Sequence, residues 1–181
     1  IQEIDSADTI LLVGTNPRWE ASVLNARIRK AYLNNNCTIG LIGKKIELTY
    51  NYMHLSEDIE HLNDILNKKS VFSKFLSNSK KPLIIIGNSA INHEDGKDVL
   101  NNCAEIAKQY NISNENFNGF NILQQDISKV GALDLNFYKN IFSENFDKNI
   151  AEYTKKYKPV VFLLGSDELN LSILKDSFVV Y

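Results

Sequence analysis

The residues with the most specific chemistry are arginines, and all three of them, Arg18, Arg27 and Arg29, fall within one twelve-residue stretch. Every other basic side chain is lysine, in a composition rich in Asn, Lys and Ile. A chain that drifts toward lysine wherever a bare positive charge suffices has reason to keep arginine where a planar, multi-donor head is needed. Between the arginines lie Ser22 and Asn25, and before them the turn Gly14-Thr15-Asn16-Pro17. The plain alternative is a solvated helix face that happens to hold three arginines.

A second set of candidates is the small polar and glycine residues that follow apolar runs: Gly14-Thr15-Asn16-Pro17, Gly43-Lys44, Gly87-Asn88-Ser89 and Gly165-Ser166-Asp167. Glycine lets backbone approach a ligand closely, and such an edge suits a nucleotide. None of these turns is a Gly-x-Gly-x-x-Gly or Walker motif, and glycine also ends strands for turn geometry alone. Cys37 and Cys103 stand apart, without Cys-x-x-Cys spacing, so no metal or cluster site is expected from this chain. His54, His61 and His93 read as structural or surface residues, and no catalytic triad or carboxylate pair is legible.

The elements that must position these groups repeat a simple unit. Thr9-Ile-Leu-Leu-Val-Gly14 and Thr38-Ile-Gly-Leu-Ile-Gly43 are near copies 29 residues apart, with an amphipathic stretch from Arg18 to Leu33 between them. That is the length and pattern of one βαβ unit. Lys81-Pro-Leu-Ile-Ile-Ile-Gly87 and Lys158-Pro-Val-Val-Phe-Leu-Leu-Gly165 repeat the strand, entered through proline and left through glycine. Continuous apolar runs predict strands covered on both faces, so residues 10–13, 39–42, 83–86 and 160–164 are expected as parallel neighbours in one buried sheet.

Helices are expected over 59–66, 71–78, 97–110, 122–130 and 146–157, a loop over 111–121 and an irregular connection over 132–143. The fold class is an α/β, doubly wound, mainly parallel sheet with helices on both faces. Projected at about 100° per residue, the helix after Pro17 places Leu24, Ile28, Ala31 and Tyr32 on a core stripe. Arg18, Ser22, Asn25 and Arg29 then form one polar flank, with Glu20 and Arg27 on the opposite border. The arginines border the packed stripe, placed to bridge this element to another segment, domain or subunit.

With 181 residues, 44% hydrophobic and 23% charged, the chain suits one domain or two small lobes sharing a sheet. Its longest apolar runs are too short to cross a bilayer, so no direct membrane insertion is expected. A net charge of −2 and scattered lysine pairs give no footprint for nucleic acid. There is no initiator Met and Phe178-Val-Val-Tyr181 reads as a strand with nothing after it, so an excised piece of a longer protein is expected.

The blocks Val13-Gly-Thr-Asn-Pro-Arg-Trp-Glu20, Asn25-Ala-Arg-Ile-Arg29, Leu48-Thr-Tyr-Asn-Tyr52 and Gly131-Ala-Leu-Asp-Leu135 carry a resemblance. With Lys158 to Gly165 and Phe178 to Tyr181 in matching order, the whole chain resembles the molybdopterin-oxidoreductase-like region of the large iron-sulfur subunit of respiratory NADH:quinone oxidoreductase (complex I). In related molybdenum enzymes a turn like Gly14 to Pro17 helps hold the guanine dinucleotide of the cofactor, whereas the complex I branch keeps the fold without the molybdenum. The resemblance therefore implies a structural and docking domain, residues 1–181, with a vestigial dinucleotide crevice at Gly14, Thr15, Asn16, Pro17, Gly87 and Gly165.

The parent's 2Fe-2S and 4Fe-4S clusters would belong to an amino-terminal iron-sulfur domain absent here. Partners would be the other subunits and the rest of the same chain, through Arg18, Asn25, Arg27 and Arg29. The location would be peripheral, on the cytoplasmic face of a bacterial inner membrane or the mitochondrial matrix side. A molybdopterin-guanine-dinucleotide oxidoreductase domain and a nucleotide-sensing α/β module are the competing readings.

Overall fold

A computed structural model describes residues 2–115, 117–136, 146–165 and 170–180. Among these, strands run over Thr9–Val13 (β1), Thr38–Ile42 (β2), Met53–Ser56 (β3), Pro82–Ile86 (β4), Ser113–Asn114 (β5), Phe117–Asn118 (β6), Phe120–Ile122 (β7), Val160–Phe162 (β8) and Phe178–Val180 (β9). Helices are Pro17–Glu20 (α1), Ser22–Asn35 (α2), His61–Leu66 (α3), Phe72–Asn78 (α4), Asn88–Ile91 (α5), Gly96–Gln109 (α6), Ile127–Asp134 (α7) and Phe146–Tyr157 (α8), with short 3-10 turns at Gln2–Ser6 and Leu171–Leu174. The chain divides into two compact units, Ile1–Gln125 and Asp126–Tyr181.

The first unit is built on a five-stranded parallel sheet in the order β3-β2-β1-β4-β7. Ile10 of β1 lies opposite both Ile39 of β2 and Leu83 of β4. Alternate residues feed two cores. Leu11, Val13, Ile42, Ile84 and Ile86 pack with Leu62, Ile65, Phe72, Leu76 and the α6 stripe Val99, Cys103, Ile106 and Ala107. Ile10, Leu12, Ile39, Leu41, Leu83 and Ile85 pack with Ile28 and Ala31 of α2. Two covered faces explain why these strands are apolar throughout.

The second unit, described by itself, holds α7, α8, the Leu171–Leu174 turn and a two-stranded parallel sheet in which Val160 pairs with Phe178 and Phe162 with Val180. The expectation for 160–164 is therefore corrected. Its strand is β8, only Val160–Phe162, and it pairs with β9 rather than joining β1, β2 and β4. The half-buried β3 and β7 complete the main sheet instead.

Smaller corrections have local causes. Ile122 ends β7, so the expected 122–130 helix begins at Ile127 after its N-cap Asp126. The expected loop over 111–121 holds an antiparallel pair, β5 with β6, and the first two residues of the edge strand β7. Ala132–Asp134 belong to α7, while 137–143 of the expected connection lie outside the described residues. The single helix after Pro17 is broken at Ala21, whose φ of −151° and ψ of 70° are not helical, and resumes as α2.

Candidate functional site

The break at Ala21 leaves the polar flank of α2 intact, and the flank meets the segment between β2 and β3. Asn25 is buried on α2, donates from Nδ2 to Thr49 Oγ1 at 3.4 Å and accepts from the Tyr50 hydroxyl at 2.9 Å. Arg29 donates from Nη1 to the Thr49 carbonyl, and Arg18 from Nη1 to the Glu47 carbonyl at 3.4 Å. Arg18 also lies 3.9 Å from the exposed Glu47 carboxylate, a pair of little energetic weight in water. Burial foremost, with the neighbouring Cys37, pushes the Tyr50 hydroxyl up, so it remains a neutral donor to Asn25.

On the opposite border of α2, Arg27 Nη1 and Lys30 Nζ reach the same Asp5 Oδ2, at 3.2 and 2.8 Å. The Lys30 hydrogen bond, more than the Arg27 charge, holds the Asp5 carboxyl below its ordinary value against an opposing burial effect. Each arginine thus contacts a group outside its own helix through a single nitrogen. Reading α2 alone identified the two flanks but not their acceptors. Asp5, Glu47, Thr49 and Tyr50 lie 20 to 29 residues away in sequence, beyond the reach of helical periodicity.

The glycine turns meet where the strand order reverses, between β1 and β4. Gly14, at φ +53°, and Gly87 approach so closely that a Cβ on Gly87 would sit 2.1 Å from the Gly14 carbonyl oxygen. Ser89 Oγ donates to that same oxygen at 2.8 Å. The crevice opens into a cavity of about 310 Å³ lined by Gly14, Thr15, Asn16, Glu20, Gly43, Lys44 and Ser89, with Leu41 and Ile46 beneath. Pro17 starts α1 directly after it. Gly165, at φ +61°, instead follows β8 in the separate sheet of the second unit, and Ser166 and Asp167 lie outside the described residues.

Within the crevice several backbone donors are already engaged. The Gly14 N–H goes to Ile42 O and the Gly87 N–H to Val13 O, both at 2.8 Å. The Asn16 N–H donates to Glu20 Oε1 at 2.6 Å, placing a carboxylate across the first turn of α1. Three buried side-chain atoms remain unpartnered nearby: Thr15 Oγ1, Asn16 Oδ1 and Asn88 Nδ2. Both cysteines are buried, and burial pushes each thiol up to about 12, leaving neither as a ready thiolate. His54 Nε2 lies 2.9 Å from the Gly43 carbonyl and His61 bridges Asp64 and Ser70, both at 3.1 Å, as structural residues do.

A parallel sheet with a reversal point, a Gly-Thr-Asn-Pro turn at its crevice and an arginine-bearing helix behind that turn is matched from residue 1 to 181 by the family model for molybdopterin oxidoreductase. The chain belongs to the molybdopterin oxidoreductase family. It is 39% identical over 181 residues to the NADH-ubiquinone oxidoreductase 75 kDa subunit of Reclinomonas americana, covering 100% of this chain and 26% of that protein. The mitochondrial 78 kDa subunit of Candida albicans is 40% identical over 183 residues, 100% of this chain and 24% of the relative. The mitochondrial NADH dehydrogenase (ubiquinone) iron-sulfur protein 1 of Solanum tuberosum is 37% identical over 182 residues, 100% of this chain and 23% of the relative. The chain therefore spans about a quarter of the length of the curated relatives it matches.

The family name raises the question of whether this member's crevice fits a molybdopterin dinucleotide. It does not fit as the described residues stand. The space beside Gly14 is filled by Ala90 and that beside Gly87 by the backbone of Gly14 and Thr15. The Gly14, Asn16, Gly43 and Gly87 N–H groups are used, and a diphosphate would meet the Glu20 carboxylate with Lys44 as the one cation of the lining. The unpartnered Thr15 and Asn88 atoms are the features of this molybdopterin oxidoreductase domain that still suit a polar ligand. Among the described residues no three His, Cys, Asp or Glu side chains group to hold a metal ion.

Proposed function

We propose that the chain is a structural and docking domain of an electron-transfer subunit of NADH:quinone oxidoreductase. The parent complex passes electrons from NADH through iron-sulfur clusters to quinone, and the subunit's 2Fe-2S and 4Fe-4S clusters lie outside these 181 residues. The observation that carries this reading is the 37–40% identity to NADH-ubiquinone oxidoreductase subunits over the length of the chain. The Glu20 carboxylate in the crevice and the two buried, protonated thiols support a scaffold role. The domain is peripheral to the membrane, on the matrix or cytoplasmic side; no helix among the described residues is long and apolar enough to cross a bilayer.

The competing reading, a live molybdopterin-guanine-dinucleotide site, rests on the unpartnered Thr15, Asn16 and Asn88 atoms. Purification of the tagged full-length parent separates the two. The expected result is co-purification with NADH-oxidising, quinone-reducing activity, stoichiometric iron, and neither molybdenum nor pterin. The 181 residues alone should not oxidise NADH with an artificial acceptor. Stoichiometric molybdenum with pterin in the parent, or a parent that purifies without any NADH:quinone oxidoreductase, would overturn the proposal.

A further inference from the structure

Asn118 is the one asparagine of the chain that glycine follows. In such a pair the backbone nitrogen after the asparagine can attack the side-chain carbonyl carbon, because glycine puts no Cβ in its path. The fold explains why glycine stands there. A Cβ on Gly119 would lie 2.3 Å from the Pro82 carbonyl oxygen and 2.5 Å from that of Ile112, so any larger residue would force backbone apart where β7 passes the start of β4. The asparagine has its own task. Its Oδ1 accepts from the Phe120 N–H at 3.2 Å, across the bend from β6 into β7, and from Ser113 Oγ at 3.4 Å. Both reacting groups are thereby tethered. The Gly119 N–H donates to the carbonyl of the fully buried Ile112 at 2.9 Å, and the Gly119 carbonyl accepts from the Ile84 N–H at 2.8 Å, fastening the bend to β4. A cavity of about 430 Å³ beside α6, lined in part by Lys108, Ser113, Asn118 and Phe120, opens the bend to water.

We propose that Asn118 is a covalent modification site that the fold holds closed, and that it converts to aspartate or isoaspartate when the bend between β6 and β7 opens. In the open bend the Gly119 N–H loses its proton to solvent and the nitrogen bonds to Asn118 Cγ. The Cγ–Nδ2 bond then breaks and ammonia leaves. Water opens the resulting succinimide ring at either carbonyl, so asparagine and water become an acid and ammonia, with no oxidant or reductant. Opening at the main-chain carbonyl routes the backbone through Cγ and lengthens it by one carbon immediately before Gly119. That added carbon displaces Gly119 from both Ile112 and Ile84, so the isoaspartyl form loses the bonds that hold the bend and the edge strand β7 stays loose. The new carboxylate arises in a cavity that Lys108 also lines, which favours the charged product.

Timed incubation of the full-length parent at neutral pH, read by peptide mass spectrometry with fragmentation that separates aspartate from isoaspartate, tests the assignment. In parent denatured with urea, Asn118 should be the first asparagine of residues 1–181 to convert. In the folded parent it should convert about 100-fold more slowly, and the gap should narrow as urea is raised below the unfolding midpoint. Ile112→Val removes one buried methyl beneath the bend. It should speed conversion in the folded parent about fivefold and leave the denatured rate unchanged. Once converted to isoaspartate, the parent should exchange its amides at 84 and 120 faster, with those of 10–13 unchanged. Asn118→Asp has the new charge on an ordinary backbone and should keep the amide of 84 slow. Equal rates in folded and denatured parent overturn the proposal, as does another asparagine converting first in urea. A folded parent whose conversion answers neither to Ile112→Val nor to urea overturns the gating by the bend, and unchanged exchange at 84 and 120 after conversion overturns the loosening of β7.

Discussion

Two segments written in nearly the same way meet different fates. Lys81-Pro82-Leu-Ile-Ile-Ile-Gly87 and Lys158-Pro159-Val-Val-Phe-Leu-Leu-Gly165 both enter through proline, run apolar and leave through glycine. The first becomes β4, buried at every position between β1 and β7. The second becomes β8, one of a pair, with Val160 and Phe162 facing outward. An apolar run specifies an extended segment with two sticky faces. Whether those faces are covered depends on α2, α3, α4 and α6, which the first unit has and which the second does not match with an equivalent set among its described residues.

Core truncation should separate the units most. Phe72 is fully buried and its ring occupies the space that Gly40 leaves on β2, where a Cβ would come within 2.6 Å of the ring. Phe72→Ala should cost about 3–5 kcal/mol. Phe162→Ala and Phe178→Ala, in the 181-residue chain, should each cost no more than about 0.5 kcal/mol, as at ordinary surface sites. Urea midpoints decide it, and a Phe162→Ala cost approaching that of Phe72→Ala would erase the contrast.

Glycine replacement gives a smaller and more specific contrast. At Gly87, φ is −75° and any residue suits the backbone, but the added Cβ would strike the Gly14 carbonyl oxygen and carbon at 2.1 and 2.8 Å. Backbone cannot swing aside as a side chain does, so Gly87→Ala should cost about 3 kcal/mol. At Gly165 nothing among the described residues lies within 4 Å, and the φ of +61° is what resists, so Gly165→Ala should cost about 1 kcal/mol. The same denaturation series tests both. Equal costs would mean that the close approach of the Gly14 and Gly87 turns is not a constraint.

The central strands, the α6 stripe and the bounds of α8 could be read from the chain because their signals are local: runs of β-branched and leucine side chains, or Val99, Cys103, Ile106 and Ala107 at helical spacing. β3 and β7 could not. Met53-His-Leu-Ser56 and Phe120-Asn-Ile122 are half-buried edge segments whose strand state comes from pairing with β2 and β4, not from composition. At the candidate site the two polar flanks of α2 followed from angular projection and the Gly14 turn from its residues. The acceptors Asp5 and Thr49, and the Glu20 carboxylate folded back onto Asn16, required tertiary geometry.

The arginine flank supplies the next prediction in size. Arg29 donates to the Thr49 carbonyl beside the Asn25–Tyr50 pair, so a lysine there must replace a planar donor with a rotating ammonium. Arg29→Lys should cost about 1 kcal/mol. Lys155→Arg, on the exposed last turn of α8, should change the midpoint by no more than about 0.5 kcal/mol. If both changes are silent, the chain's concentration of arginine in α1 and α2 carries no structural weight.

The smallest effect is a pH dependence of the first unit. Asp5 is held below its ordinary value of 3.8 by the Lys30 hydrogen bond and, after it, by Arg27. A carboxyl depressed in the folded state stabilises the fold above its unfolded pKa, and that contribution fades as pH falls through the folded value. The stability should therefore be fully present at neutral pH and begin to decline below about pH 4. Replacing Asp5 by Asn removes the titration while keeping the side chain's size, so the variant should start lower at neutral pH and lose less on acidification. Raising the salt concentration should narrow the gap between parent and Asp5→Asn at neutral pH, because Lys30 is more than half exposed and its charge is screened. Parallel pH profiles of the urea midpoint for parent and variant would remove the strap from Asp5 to α2 as a source of acid sensitivity.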